Sequence, residues 1–279
     1  MLECVVNVSE GRDPEVLAAL AEAAGRQLLD VHTDAGHNRS VLTLAARDSE
    51  ALEKAVRDLA REALACLDLG HHDGVHPRFG VLDVVPFVPI PPGAIQAGDG
   101  EAGGMGEATG ARDRFARWAG EVLELPCFLY GPDRDLPTVR RQAFRTLAPD
   151  TGPLAPHPSA GACAVGARGV MLAWNLWLAD RDRGATARVA TALRGPAVRA
   201  LAFELPAGVQ LSFNLVDPLR VGPATVFDAA SAAGARVVRS ELVGLAPAAL
   251  LERTEPARWA ELDLHPDRTI EARLEQSGG

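Results

Sequence analysis

The chain is short of lysine, of paired cysteines, of net positive charge and of long apolar runs, and each shortage excludes something. Lys54 is the only lysine. Basic charge is carried almost wholly by arginine, which together with abundant Ala, Gly and Pro reads as coding bias rather than chemistry. The 28 basic residues face 37 acidic ones, for a net charge of −9. A general nucleic-acid binder would present a basic face, so nucleic acid is not an expected partner. A local arginine cluster can still receive a small anion. The cysteines Cys4, Cys66, Cys127 and Cys163 form no CxxC pair and are read as reduced, buried thiols in a cytoplasmic protein. No apolar run reaches the roughly 20 residues of a membrane span. The opening MLECVVNVSEGRD lacks the cationic lead of a secretory signal, and no membrane partner is expected. The glycines of 98–106 are not followed by GK[ST], which argues against a phosphate loop.

What is present is ordinary for a globular protein: 47% hydrophobic and 23% charged residues over a length of 279, room for two domains. Residues 2–8 predict a strand, and Asp13 followed by Pro14 predicts a helix start. Strands are expected at 27–32 and 40–45. Asp48 caps a helix whose Leu52, Val56, Leu59, Ala63 and Leu67 share one stripe. A buried strand follows at 81–88. Residues 91–110, rich in Gly and Pro, read as a surface loop, then a helix at 111–125, a strand in PCFLYG and a basic helix in RDLPTVRRQAFRTL. The stretch 149–169 reads as a coiled, ligand-lining or linking connection. Beyond it come a strand (170–178), a helix (183–194), two strands (198–205 and 209–215), a helix (222–233), a strand (235–243), and a terminal helix capped by Asp267. Each half therefore reads βαββαβ. The fold class is α/β (α+β), with two ferredoxin-like subdomains, 1–168 and 169–279, and a ligand cleft between them.

The chemistry concentrates in GHHDGVHPRFGVLDVVPFVP (70–89), a polar loop delivered by an apolar strand. His76 is the best proton-transfer candidate, because imidazole titrates near neutrality and the flanking Gly74 and Pro77 set the loop. Arg78 suits a carboxylate. The same loop reads alternatively as solvated with incidental histidines, or as a metal site of His72, Asp73 and His76, though Gly74 and Pro77 disfavour the helical spacing zinc would use. A second polar turn, DAGHNR (34–39), offers His37, Asn38 and Arg39 to an amino-acid substrate; its bland reading is a hairpin turn. Asn7, Glu10 and Arg12 make a third polar group. Asn175 and Asn214 interrupt apolar strands, and Cys163 reads as a core residue rather than a nucleophile.

The segments CVVNVSEGRD, DAGHNRSVLT, HHDGVHPRFGVLDVVPFVP, PDTGP…HPSAGACAVGAR and SELVGLAP occur in the order found in glutamate formimidoyltransferases, and the chain resembles that family over nearly its whole length. The resemblance implies transfer of the formimidoyl group of N-formimidoyl-L-glutamate to tetrahydrofolate in histidine breakdown, by a cytoplasmic homodimer with no metal. It places the catalytic histidine of the HPR motif on His76. It places the folate-lining segment on Gly152, Pro153, Leu154, Ala155, Pro156, His157, Pro158, Ser159, Ala160 and Gly161. Ala160 stands where the family carries an aromatic residue. Arg39, Arg78, His37 and Asn38 are substrate-binding candidates on chemical grounds alone. The residues also admit a metal-dependent hydrolase, or a protein that binds folate or an amino acid without turnover.

Overall fold

Strand β1 (Leu2–Val8) turns alternate residues to opposite faces, and its Leu2, Cys4, Val6 and Val8 all enter one core. The helix capped by Asp48, α2 (Ser49–Cys66), supplies the other side, since the apolar stripe Leu52, Val56, Leu59 and Ala63 is buried against them. Helix α1 (Pro14–Ala24) begins where Pro14 brings no N–H to be satisfied and the Asp13 carboxylate accepts the Glu15 and Val16 amides of the first turn.

The computed structural model describes residues 1–90, 101–180 and 182–277, and the chain divides after Arg168 into two units. In the first, β1 is joined by β2 (Leu28–Asp34), β3 (Arg39–Ala46) and β4 (Leu82–Pro89) in the order β2-β3-β1-β4, every neighbour antiparallel. Two more strands, β5 (Cys127–Tyr130) and β6 (Cys163–Ala167), extend the sheet beyond β4 in parallel pairings, β6 next to β4. In the second unit β7 (Leu172–Leu178), β8 (Val198–Leu205), β9 (Gly208–Leu215) and β10 (Val237–Val243) are ordered β10-β7-β9-β8. Helices α5 (Arg183–Leu193) and α6 (Pro223–Ala232) bury Ala190, Val226 and Ala230 in its core. That order is the same ferredoxin-like arrangement, so the expected βαββαβ repeat is present in both units.

Several expectations are corrected. Helix α3 runs over Glu101–Val122, so residues 101–110 are helical rather than looped; the remainder of the expected loop, 91–100, lies outside the described residues. Helix α3 lies against β4, β5 and β6; Ala108, Ala111, Phe115, Ala116 and Ala119 are buried in the core, which repays the helix despite its glycines. The stretch 149–169 contains β6, whose small residues CAVGA fit between two neighbouring strands. Helix α4 (Leu136–Gln142) stops well before the expected end, because Phe144 takes the left-handed conformation at φ +57. The short α7 (Ala248–Glu252) falls in a stretch with no predicted element, and the terminal helix α8 (Ile270–Gln276) is capped by Thr269, not Asp267. Among the described residues no helix is long and apolar enough to cross a membrane.

Cys4, Cys127 and Cys163 are buried, and burial pushes the Cys127 thiol up to about 12. Cys66 is exposed but donates to Glu62, which also raises its pKa. None has the electropositive setting of a reactive thiol.

Candidate active site

The central strands β3, β1 and β4 release their loops at one end of the sheet, and the three polar groups of the sequence meet there. Asn38, at φ +48, is the joint. Its Oδ1 accepts the Gly11 amide at 2.9 Å and its Nδ2 donates to the Asp73 carbonyl at 2.9 Å. Its own carbonyl is 2.7 Å from His72 Nε2, which donates to it. Arg12 donates to the Ala35 carbonyl and pairs with the Asp73 carboxylate. Ser9 Oγ and Ser40 Oγ tie down Gly80 and Glu10 through their carbonyls. Two glycines make the approach possible: a Cβ on Gly74 would lie 2.3 Å from the His37 carbonyl oxygen, and one on Gly11 2.4 Å from that of Asp34.

Beneath this joint lies a buried charge cluster. The β1–β4 register slips between Asn7, opposite Val84, and Val8, opposite Leu82, leaving Asp83 as the extra residue. The Asp83 side chain is 0% exposed and its Oδ2 accepts from Arg39 Nη1 at 2.7 Å and Arg140 Nη2 at 2.6 Å. Its Oδ1 accepts the Phe79 amide at 3.0 Å. Burial alone would raise the carboxyl pKa; Arg39, Arg140 and the Phe79 N–H outweigh that and hold it below the usual range. Arg39 also donates twice to Asn7 Oδ1, at 3.2 and 2.9 Å. Arg140 comes from α4, whose Val139 enters a second small core with Val84 of β4, Phe128 and Tyr130 of β5, Ala162 just before β6 and Ala164 within it.

His76 sits half-buried above the cluster. Its Nδ1 is 2.8 Å from the Pro77 carbonyl oxygen. A carbonyl can only accept, so Nδ1 carries the proton and the lone pair belongs to Nε2. The His37 ring stands edge-on to it, with centroids 5.6 Å apart. Burial, and then the Arg39 guanidinium, push the His76 pKa down to about 3, against opposing contributions from Asp83 and the Pro77 carbonyl. At neutral pH the imidazole is uncharged and able to take a proton.

The other expected site residues are distributed unequally. Arg39 is buried with its donors engaged by Asp83 and Asn7, which leaves it poorly placed to grip a substrate directly. Arg78 donates to the carbonyls of Gly74, His76 and His72, stitching its own loop. His37 is buried, with its amide held by Asp34 Oδ1. The alternative metal set points three ways: His72 to Asn38, Asp73 to Arg12 and His76 to Pro77.

The segment Gly152–Gly161 is largely exposed from Gly152 to Pro156, with Leu154 79% exposed. It closes on a tight hairpin in which His157 and Gly161 exchange backbone bonds and His157 Nδ1 accepts the Ser159 and Ala160 amides. The hairpin is bonded to the histidine loop: Leu69 donates to Ser159, Val81 to Ala160, and Ala162 to Phe79. The Ala160 side chain is wholly in the core, so only its backbone is available to line a ligand. Asp83 and Arg140 were not among the sequence candidates. The available signal was a lone carboxylate in an apolar strand, which demands a buried cation.

Fold and site together define an α+β protein of two ferredoxin-like units in which a neutral histidine stands over an arginine-rich floor. The formiminotransferase domain, N-terminal subdomain, matches residues 1–168. The chain is 34% identical to the formimidoyltransferase-cyclodeaminase of Sus scrofa, over 88% of this chain and 50% of that protein. It is 32% identical to the glutamate formimidoyltransferase of Streptococcus pyogenes serotype M1, over 90% of each, and 33% identical to that of Thermoplasma acidophilum, over 88% of each. The chain belongs to the formiminotransferase family. It spans about half the length of the bifunctional relative and nearly all of the two single-function ones.

Proposed function

We propose that the chain is a glutamate formimidoyltransferase, moving the formimidoyl group of N-formimidoyl-L-glutamate to N5 of tetrahydrofolate in histidine degradation. The observation that carries this reading is the His76 geometry: Nδ1 tied to the Pro77 carbonyl, Nε2 left with the lone pair, and the ring uncharged at neutral pH. N5 attacks the amidine carbon, and Nε2 takes the proton that N5 sheds as the C–N bond forms. The resulting imidazolium returns that proton to the glutamate nitrogen as its bond to carbon breaks. Arg39, Arg78 and Arg140 outnumber Asp83 here, and their surplus charge favours a donor bearing two carboxylates. Arg39 and Arg78 act through this field, because Arg39 is engaged by Asp83 and Asn7 and both terminal nitrogens of Arg78 are engaged by loop carbonyls. An arriving dianion also raises the His76 pKa and eases protonation in the transition state. His37 and Asn38 shape the floor of the donor site. The exposed backbone of Gly152–Pro158 and the Leu154 side chain offer a surface for the flat pterin, beside the histidine loop to which its hairpin is bonded. Positioning of two substrates supplies the remainder of the acceleration.

A steady-state assay with formimidoylglutamate and tetrahydrofolate tests the reading. His76→Ala should lower kcat by about 10²–10⁴-fold while folate affinity stays nearly intact. Retention of more than half the wild-type turnover rejects His76 as the base. Folate should also slow amide exchange across 152–161, because exposed Gly/Pro backbone orders when a ligand packs on it; equal exchange with and without folate places the acceptor elsewhere.

A further inference from the structure

The Pro77 carbonyl that receives His76 Nδ1 receives a second donor: Arg140 Nη1, at 3.1 Å. The same guanidinium binds Asp83 through Nη2 at 2.6 Å and lies over the Phe79 ring, 5.4 Å from its centroid. Phe79 is in turn edge-on to the buried Phe128, with centroids 6.0 Å apart. Arg140 is thus anchored at both ends, to a buried carboxylate and to an aromatic face, and one of its N–H groups is aimed at the peptide that orients the imidazole. The proline ring fixes φ at residue 77 and leaves ψ, which aims the carbonyl, to be held by hydrogen bonds; one carbonyl oxygen has two lone pairs for two donors. Histidine in water favours the proton on Nε2, so holding it on Nδ1 requires an acceptor that does not rotate away.

We propose that Arg140 is a positioning residue for His76: by fixing the Pro77 carbonyl between α4 and the buried Asp83, it holds the imidazole in the tautomer that leaves Nε2 as the proton acceptor. The proposal rests on the reading of His76 as the base, but its primary readout does not. The planar fork is needed because its two N–H directions serve Pro77 and Asp83 at once, which a single ammonium point charge cannot do. The charged and titratable groups around the imidazole are Arg39 on β3, Asp83 on β4, Arg140 on α4, Arg78 in its own loop and the facing His37. Of these, Arg140 shares the Pro77 acceptor with the imidazole.

The test is the long-range proton–nitrogen correlation spectrum of the 15N-labelled full chain at pH 7.5, with the His76 signals identified by their loss in His76→Gln. Wild type should show one tautomer, protonated at Nδ1. Arg140→Met should show the Nε2-protonated form or a mixture, and His76 should titrate at higher pH. Its kcat should fall roughly tenfold or more, as for a base held in the wrong tautomer, and KM for the donor should rise with the lost charge while KM for tetrahydrofolate stays within about twofold. Arg140→Lys keeps the charge beside Asp83 and serves if Arg140→Met does not fold; it too should show mixed tautomers. A single Nδ1-protonated His76 in either folded variant overturns the proposal, as does a loss confined to KM. If the tautomer shifts but His76→Ala keeps its turnover, tautomer control by Arg140 stands and the assignment of His76 as the base falls.

Discussion

The two units repeat one topology and differ in what they hang on it. At the end of the sheet where β1, β3 and β4 carry residues 9–13, 35–38 and 67–81, the second unit has, among its described residues, 179–180, 182, 206–207 and 233–236. The largest difference is the connection into the last strand of each repeat: the first unit places there the whole histidine loop, the second a minimal turn. The first unit also adds β5, β6 and α4, and α4 brings the second guanidinium to Asp83. The second unit has its own sheet carboxylate, Glu241, but it is served chiefly by neutral donors. Asn175, Trp177 and Gln210 all donate to its Oε2, at 3.1, 2.9 and 3.3 Å. Arg239 approaches its Oε1 at 3.4 Å and packs on the Trp177 ring. A carboxylate between two guanidiniums, one buried and one partly exposed, leaves surplus positive charge beside a histidine; a carboxylate served by neutral donors and one arginine leaves none. The scaffold is shared, and the chemistry lies in the loops and in one added helix.

Paired substitutions, one in each unit, should separate the two. The largest stability effect is expected at Asp83: Asp83→Asn leaves two guanidiniums without a counter-charge and should cost about 3–5 kcal/mol. Glu241→Gln keeps an oxygen acceptor for its neutral donors and should cost about 1–2 kcal/mol. Urea unfolding of both variants makes the measurement, and equal losses would show that the buried ion cluster is no more demanding than the amide one.

A smaller effect is expected from glycine. Gly74→Ala drives a Cβ into the His37 carbonyl and should destabilise by about 1–3 kcal/mol while lowering turnover. Gly195→Ala, with nothing within 4 Å of its Cβ and no left-handed φ, should be neutral or stabilising by up to about 1 kcal/mol. Thermal melts and initial rates decide; an inert Gly74→Ala would mean that the loops do not depend on their close approach.

The last effect concerns pH. His76 has a folded pKa of about 3 against about 6.5 when unfolded. Between those values the unfolded chain binds a proton that the folded one refuses, so this group withdraws stability as pH falls from 6.5 toward 3. His76→Asn should therefore lose less stability than wild type between pH 7 and pH 4.5, measured as urea midpoints. Parallel losses in the two proteins would mean that His76 titrates normally.

Much of this molecule is written in neighbouring residues. Asp13 and Asp48 cap the helices they precede, the stripe from Leu52 to Ala63 is buried as its spacing requires, and 82–89 is the apolar strand its valines suggest. Capping and periodicity involve groups a few residues apart, so they survive in the sequence as local pattern. The HPR loop and its companion segments also sufficed to indicate the family. Strand β6 was hidden because its residues are small and its flanks rich in Pro and Gly; it is a strand because β4 and β5 supply hydrogen-bond partners on both sides. The roles of the arginines were likewise not local. Arg39 and Arg140 stand 44 and 57 residues from Asp83 along the chain. Only the sheet register, with its slip beside Asn7, and the packing of α4 across β5 and β6 bring three such charges within hydrogen-bonding distance. Which arginine is free for a ligand and which is held by a buried carboxylate depends on that register, because a charge removed from water must find its partner wherever the fold delivers one.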